Sequence, residues 1–196
     1  RKFLVERHLI SREHAEGTPK GRGVVAEEKE IISLMINEED HLRLQVLQSG
    51  LGLTQGWDIA EQLDRQLEKY LPYAFSKNWG YLTCCPTNVG TALRASGMLH
   101  LPCLVMTKQI GRVLHAITKL GLTARGLYGE GTEATGNFFQ ISNQVSLGRS
   151  DQEIIDKLER VILQVVEQEE AARNALMRQS REALEDRIWR AFGTLK

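Results

Sequence analysis

The densest set of groups able to do chemistry is a run of seven residues, Asn37-Glu38-Glu39-Asp40-His41-Leu42-Arg43. Its carboxylates could accept a proton or orient a cation, and its arginine could hold an anion. The run follows Ile31-Ile32-Ser33-Leu34-Met35-Ile36, which reads as a buried strand offering a rigid edge. Two readings stand at this point: a site, or a solvated acidic turn, the usual fate of charge clusters. Beyond it the pattern alternates, with Leu42, Leu44 and Val46 on one face and His41, Arg43 and Gln45 on the other, together with Glu39. Glu39 and Arg43 would then lie roughly 13 Å apart along a regular strand, too far for an ion pair and suited to two ends of one ligand.

A second stretch is Cys85-Pro86-Thr87-Asn88-Val89-Gly90-Thr91, after a strand expected over 79–83. Proline, threonine and asparagine suit a helix start, with Val89, Ala92 and Leu93 facing inward. A strand–turn–helix with free N–H groups is an anion site, and Arg94 would sit about two turns into that helix. Cys85 is either a buried structural thiol or, at the helix N-terminus, a thiolate of lowered pKa. The third stretch, 125–136, is rich in glycine and carries Arg125 and Glu130. It reads as a lid or as a plain hairpin connection, and it matches neither GxGxxG nor the Walker pattern.

The elements that must position these groups follow in order. Residues 1–16 read as a short helix or an extended lead-in, and 17–23 as a loop. Strands are expected at 24–26 and 30–37, then a helix over 54–70, capped by Thr54 and striped by Ile59, Leu63 and Leu67. The second helix ends at His100-Leu101-Pro102. Another opens at Thr107, with Ile110, Val113, Leu114 and Ile117 inward and Gly121 as its stop. His115 beside that stripe reads as an ordinary packed or surface histidine. Strands at 122–128 and 139–147 flank the glycine-rich segment. Ser150-Asp151-Gln152-Glu153 is a capping box that starts a helix to about residue 178, and a further helix carries Leu184, Ile188, Trp189 and Phe192. The apolar stripe thins beyond Glu167, so this segment is expected to pack elsewhere in the protein or against another subunit.

Composition narrows the classes. The chain has 196 residues, with Lys plus Arg at 25 and Asp plus Glu at 25, so no net field favours nucleic acid or an anionic membrane. No apolar stretch approaches membrane-spanning length. Three cysteines, Cys84, Cys85 and Cys103, without a secretory segment point to a reduced cytoplasmic setting. With His100 and His115 they lack any standard zinc-ligand spacing, so no metal ligands are assigned. The opening at Arg1 without methionine suggests a piece of a longer protein.

The three stretches, in this order and over roughly residues 24–148, resemble the motifs of the guanidino (phosphagen) kinases. Residues 7–14, Leu34-Met35-Ile36 and residues 137–144 look most like the bacterial protein-arginine kinase branch. The resemblance implies an α+β fold, an antiparallel β-sheet flanked by helices, of the glutamine synthetase/guanidino kinase catalytic-domain type. Residues 1–150 would form the catalytic domain, lacking its N-terminal part, and 151–196 a helical segment packing on it or mediating a homodimer. By motif position, Glu39 matches the catalytic glutamate, Cys85 the active-site cysteine and Glu130 a second guanidinium-binding carboxylate. Arg43, Arg94 and Arg125 match arginines on the ATP phosphates, with Asn88 and His41 as supporting residues. Ala92 stands where glycine is common, and Cys84 where serine is frequent. An early pair of phosphate arginines is expected before Arg1, so the isolated chain is expected to turn over weakly.

The implied reaction is ATP- and Mg²⁺-dependent phosphoryl transfer to arginine side chains of proteins. Two carboxylates would fork onto the guanidinium while Glu39 takes its proton, and the Glu130 loop would close on substrate. Cys85 would act electrostatically, its exposure making it an oxidation switch. The branch also implies a transcriptional repressor as substrate and cooperation with an adaptor and protease machinery in stress-response protein quality control. A small-molecule arginine kinase, and a regulatory or adaptor module, are the alternatives.

Overall fold

The structure is a computed structural model that describes residues 1–18, 20–126 and 135–196. It divides into two compact units, Arg1–Ala95 with Gln144–Asp156, and Ser96–Asn143 with Lys157–Lys196.

The first unit opens with helices α1 (Lys2–Glu6) and α2 (Arg12–Glu16), the latter capped by the Ser11 hydroxyl on the His14 N–H. Strands β1 (Gly23–Ala26), β2 (Ile32–Ile36) and β3 (Leu42–Val46) form an antiparallel sheet in that order. Their alternation buries Ser33 and Met35 of β2, and Met35 joins Leu9 and Ile10 in the core. Helix α3 (Leu53–Glu68) packs on β3. Its stripe is half-buried, and the glycine at its N-cap, Gly52, leaves Thr54 inside the helix rather than capping it. Two short strands, β4 (Phe75–Ser76) and β5 (Gly80–Tyr81), pair with each other.

In the second unit β6 (Ser96–His100), β7 (Leu122–Gly126) and β8 (Phe138–Asn143) form an antiparallel sheet ordered β6-β8-β7. Between them lie α4 (Pro102–Met106) and α5 (Ile110–Lys119), and α5 packs on β7. Val113 and Ile117 of α5 are buried, His115 is exposed, and Gly121 (φ +73°) follows the helix end as expected of a C-terminal stop. Helix α6 (Asp151–Gln179) starts in the first unit on the expected box: Glu153 accepts from the Ser150 N–H at 2.8 Å, and the Glu153 N–H donates to the Ser150 hydroxyl at 3.2 Å. Further along, its Leu158, Val161, Ile162 and Val165 are buried. Its Glu169 carboxylate, 3% exposed, accepts from the N–H groups of Cys103 and Leu104 at 2.8 and 2.9 Å, satisfying the start of α4. Helix α7 (Arg181–Leu195) follows.

The structure corrects five local expectations. Glu39 is not on a strand: Ile36 pairs with Leu42, so 37–41 is the closing loop of the β2–β3 hairpin, tied by the Asn37 N–H on the His41 carbonyl at 2.9 Å. The alternation therefore begins at Leu42, and the shared strand face of Glu39 and Arg43 does not exist. The strand at 79–83 shrinks to Gly80–Tyr81. The helix expected after Cys85 is one 3-10 turn, Pro86–Asn88, because Gly90 (φ +114°) and Ala92 (φ +57°) leave the helical region. Residues expected in that helix belong to β6 instead, whose ladder with β8 pairs Ser96 with Ser142 and His100 with Phe138. Pro102 then starts α4 rather than stopping a helix. Strand β8 ends at Asn143, short of Val145 and Leu147.

Candidate active site

The hairpin loop 37–41 is built by its own carboxylates. Asn37 takes a left-handed backbone (φ +56°), which asparagine tolerates, and its amide donates to the Gly21 carbonyl at 2.6 Å. Glu38 turns back into the unit, its side chain 4% exposed. It accepts from the Ser11 hydroxyl at 2.6 Å, the Glu39 N–H at 2.8 Å and Arg43 Nη1 at 3.2 Å. Burial alone would raise its pKa. The Ser11, Glu39 and Arg43 donors outweigh that and hold the carboxyl below its ordinary value.

Asp40 points to the cysteine-bearing loop. One of its oxygens accepts from the N–H groups of Cys84 at 2.6 Å and Cys85 at 3.1 Å, the other from the Asn88 amide at 2.8 Å. The two stretches, more than forty residues apart in the chain, are thereby joined by one half-buried carboxylate. Asn88 passes the connection on: its carbonyl oxygen accepts from Arg94 Nε at 3.2 Å. Arg94 Nη2 donates to the Thr87 hydroxyl at 3.2 Å, and that hydroxyl lies 3.1 Å from Cys85 Sγ. A single network thus runs from Asp40 through Asn88, Arg94 and Thr87 to Cys85.

The loop between Tyr81 and Gly90 is held from two further directions. Tyr81 and Gly90 exchange backbone hydrogen bonds of 2.8 and 3.3 Å. Gly90 is required there: its φ is +114°, and a Cβ would come within 2.7 Å of Leu147 Cα and the Ser146 carbonyl. The Ser146 hydroxyl donates to the carbonyls of Thr87 (3.3 Å) and Val89 (2.9 Å), and Thr83 donates to that of Cys85 at 2.6 Å.

Glu39 sits between the two tied acids, exposed, and among the described residues its carboxylate has no hydrogen-bond or ion-pair partner. Arg43, on β3, contacts Glu38 through Nη1, which leaves its other N–H donors for a ligand. His41 is exposed and serves the loop through its carbonyl. Arg125 lies on β7 of the second unit, opposite Gln140 in the ladder. Glu130 and the rest of 127–134 lie outside the described residues. Cys85 is part-buried beside a single 3-10 turn, so the thiolate argument from a helix dipole falls away. Asp40, Thr87, Thr83 and Ser146 were not singled out by sequence reasoning. Asp40 lay in the opening cluster, whereas Ser146 carried no local signal.

No group of three or more His, Cys, Asp or Glu able to hold a metal occurs among the described residues, and none of the described helices is long and apolar enough to cross a membrane. The arrangement offers a free carboxylate, a thiol and arginine donors on a tied scaffold, suited to a cationic acceptor and an anionic donor. Comparisons with known proteins agree with that chemistry. The chain is 59% identical over 196 residues to a protein-arginine kinase of Desulforamulus reducens and 55% identical to one of Pelotomaculum thermopropionicum, in each case covering 100% of this chain and 55% of the relative. The chain thus spans about half the length of the curated relatives it matches. Among solved structures, the duplicated taurocyamine kinase of Schistosoma mansoni with bound transition-state-analogue components superposes at a TM-score of 0.77 with 30% identity, over 87% of this chain and 25% of that one. A lombricine kinase superposes at 0.75 with 26% identity, over 89% of this chain and 51% of the other. The family described as ATP:guanido phosphotransferase, C-terminal catalytic domain, matches residues 1–172, and the chain belongs to it.

Proposed function

We propose that this chain is the catalytic part of a kinase that transfers the γ-phosphoryl group of ATP to arginine side chains in proteins. The observation that carries the reading is the Asp40 bridge, which holds the Glu39 turn and the Cys85 loop in one network while leaving the Glu39 carboxylate unengaged among the described residues. The choice of protein arginine over a small guanidino compound rests on the curated relatives at 51–59% identity, all protein-arginine kinases.

In this mechanism Glu39 orients the guanidinium through charge-assisted bonds and accepts the proton that must leave the attacking nitrogen. Cys85, fixed by Thr87 and by the Asp40 contact to its N–H, favours the adjacent cation electrostatically and forms no covalent bond. Arg43 stabilises phosphate charge with the donors its contact to Glu38 leaves over, and Arg94, Arg125 and Glu130 keep by motif position the phosphate and guanidinium roles. Mg²⁺ suits a site of this kind as the nucleotide's own partner, held largely by phosphate oxygens and water rather than by a protein cage. When bound it neutralises charge developing on those oxygens. Asn88 and His41 support the loops.

The wider setting extends the proposal: a cytoplasmic enzyme, a transcriptional repressor among its substrates, an adaptor and protease machinery as partners in stress-response quality control, a homodimer formed through 151–196, and oxidation of Cys85 as a control. The test is incubation with ATP, Mg²⁺ and an arginine-rich protein, using this chain and a version extended to its relatives' length. Acid-labile phosphate on arginine nitrogen, lost in Glu39→Gln and absent with free arginine as acceptor, is the expected result. Phosphoserine, or turnover indifferent to Glu39→Gln, overturns it.

A further inference from the structure

The first unit holds a cavity that the proposed chemistry does not use. Its volume is about 320 Å³, near the lower end of the roughly 300–1,000 Å³ of small-ligand sites. Phe75, Trp79 and Tyr81 line it, together with Thr91, Arg149 and Asp151. Phe75 and Trp79 are both 58% exposed, while Tyr81 is fixed by edge-on contacts to Phe75 at 5.3 Å and Tyr73 at 5.9 Å. Large rings left open to solvent around a concavity are surface that a ligand can cover.

The charge in this place is unbalanced. Among the described residues Asp151 Oδ1 is buried and has no hydrogen-bond partner. Burial raises the Asp151 carboxyl above its ordinary value; Trp57 and Thr91 favour the charged form without either donating to Oδ1, and Glu61 and Asp64 repel it further. The Tyr81 phenol is pushed up by burial and then by Asp64, Glu68 and Asp151. Of these acids Glu61 is paired with Arg65 at 2.6 Å, and Asp64 accepts from Tyr73 at 3.0 Å. Arg149 is the cation on the wall, and it also acts on Glu153. Aromatic faces beside a carboxylate in a negative field match a planar cation, for which stacking and charge pairing act together.

We infer that this cavity binds the guanidinium of an arginine side chain in a polypeptide, at a position other than the residue to be phosphorylated. The location fits that use. Tyr81 and Gly90, which close the loop carrying Cys85, both line the cavity, so it lies at the stem of that loop. As a substrate subsite the inference rests on the protein-arginine kinase reading; as a binding site it does not.

The test begins without nucleotide. An acetylated, amidated peptide with one arginine in a glycine-serine context is titrated calorimetrically into the wild type, Asp151→Asn, Trp79→Ala and Glu39→Gln. Asp151→Asn and Trp79→Ala each weaken the cavity binding about tenfold, in the Glu39→Gln background as in the wild type, and a citrulline peptide fails to bind. Circular dichroism confirms folding, which the exposure of Trp79 makes safe for Trp79→Ala. Loss confined to Glu39→Gln, or equal affinity for a lysine peptide, overturns the inference. In kinase assays a second arginine in the peptide lowers KM and leaves kcat unchanged, and Trp79→Ala abolishes that gain. Phosphoarginine formation with equal KM for one- and two-arginine peptides in wild type and both cavity variants refutes the subsite and spares the kinase. Cavity-dependent binding with no phosphoarginine does the reverse.

Discussion

Replacing Asp40 by alanine removes the only carboxylate that joins the β2–β3 loop to the cysteine-bearing loop among the described contacts, and the size of the effect can be worked out from three bonds. Hydrogen bonds to a charged group contribute roughly 1.5–3 kcal/mol each when shielded from water. Asp40 is half-buried and its three bonds, at 2.6, 3.1 and 2.8 Å, share one carboxylate, so their sum is discounted for solvation and for non-additivity. A local cost of about 2–3 kcal/mol remains, which corresponds to opening of the 82–89 loop becoming roughly 30–150 times more frequent. Amide hydrogen exchange reads this directly: the Cys84 and Cys85 N–H groups should exchange faster by that factor, while Leu34 and Leu44 in the β2–β3 ladder hold their rates. Asp40→Asn is the graded control. Its carbonyl can still accept from both cysteine N–H groups, but its NH₂ meets that of Asn88, so it should fall between wild type and alanine. Phosphorylation should drop with loop order in the same sequence. Unchanged exchange at Cys84 and Cys85 in Asp40→Ala would refute the claim that this carboxylate holds the loop.

Three more outcomes follow from the same geometry. Glu169→Ala strands the buried N–H groups of Cys103 and Leu104 and should destabilise the second unit by about 2–5 kcal/mol, measured by urea unfolding followed at its β-sheet amides; a change below about 0.5 kcal/mol, the scale of an ordinary surface substitution, would contradict the capping role. Gly90→Ala forces a side chain into φ +114° and against Leu147 and Ser146, and should cost at least about 1–3 kcal/mol while loosening the 82–89 loop, seen as faster labelling of Cys85 by a thiol reagent. Because the folded-state pKa of Glu38 is depressed, its contribution is fully present above the carboxyl's ordinary value of 4.5 and is lost as pH falls through the lower folded value; Glu38→Gln should flatten the acid side of the stability profile, and an identical slope in the variant would show the sign to be wrong.

How much of this was legible in the residues depended on whether the deciding interaction was local. The capping box at Ser150 and Glu153, the alternation of β3 and the α5 stripe ending at Gly121 depend on neighbours within a few positions, and each appears as read. The segment after Cys85 does not. Proline, threonine and asparagine suit a helix start, but the following residues answer to the β6–β8 ladder and to Gly90 pressed on Ser146 and Leu147, partners 38 or more positions away. Tertiary pairing overrides weak local preference in such a place. The opening cluster reads as a candidate site on a strand face, a geometry the structure corrects, because alternation does not extend back through a loop in which Asn37 takes a left-handed turn. Ser146, which donates to two carbonyls of the cysteine-bearing loop, sits between Val145 and Leu147 in a segment read as strand, and nothing in its own neighbourhood distinguishes it.

The loop geometry also explains why three adjacent acids need not compete. On a strand, Glu38 and Asp40 would share one face and Glu39 would take the other. In the hairpin loop each goes a different way: Glu38 to Ser11 and Arg43, Asp40 to the cysteine N–H groups and Asn88, and Glu39 to solvent. The outer two are satisfied by donors and hold their charges without needing a ligand. Glu39 alone is left without a donor among the described residues, and under the proposed mechanism such a carboxylate, held in place by its neighbours but unsatisfied itself, would be preorganised for a cation that arrives with the substrate. On this account the outer acids act through position. Glu38→Gln and Asp40→Asn should therefore be partly rescued by conditions that stabilise the fold, such as a kosmotropic salt. Glu39→Gln should keep wild-type stability and loop exchange and stay inactive under every such condition, and recovery of its turnover in the same salt would remove the distinction.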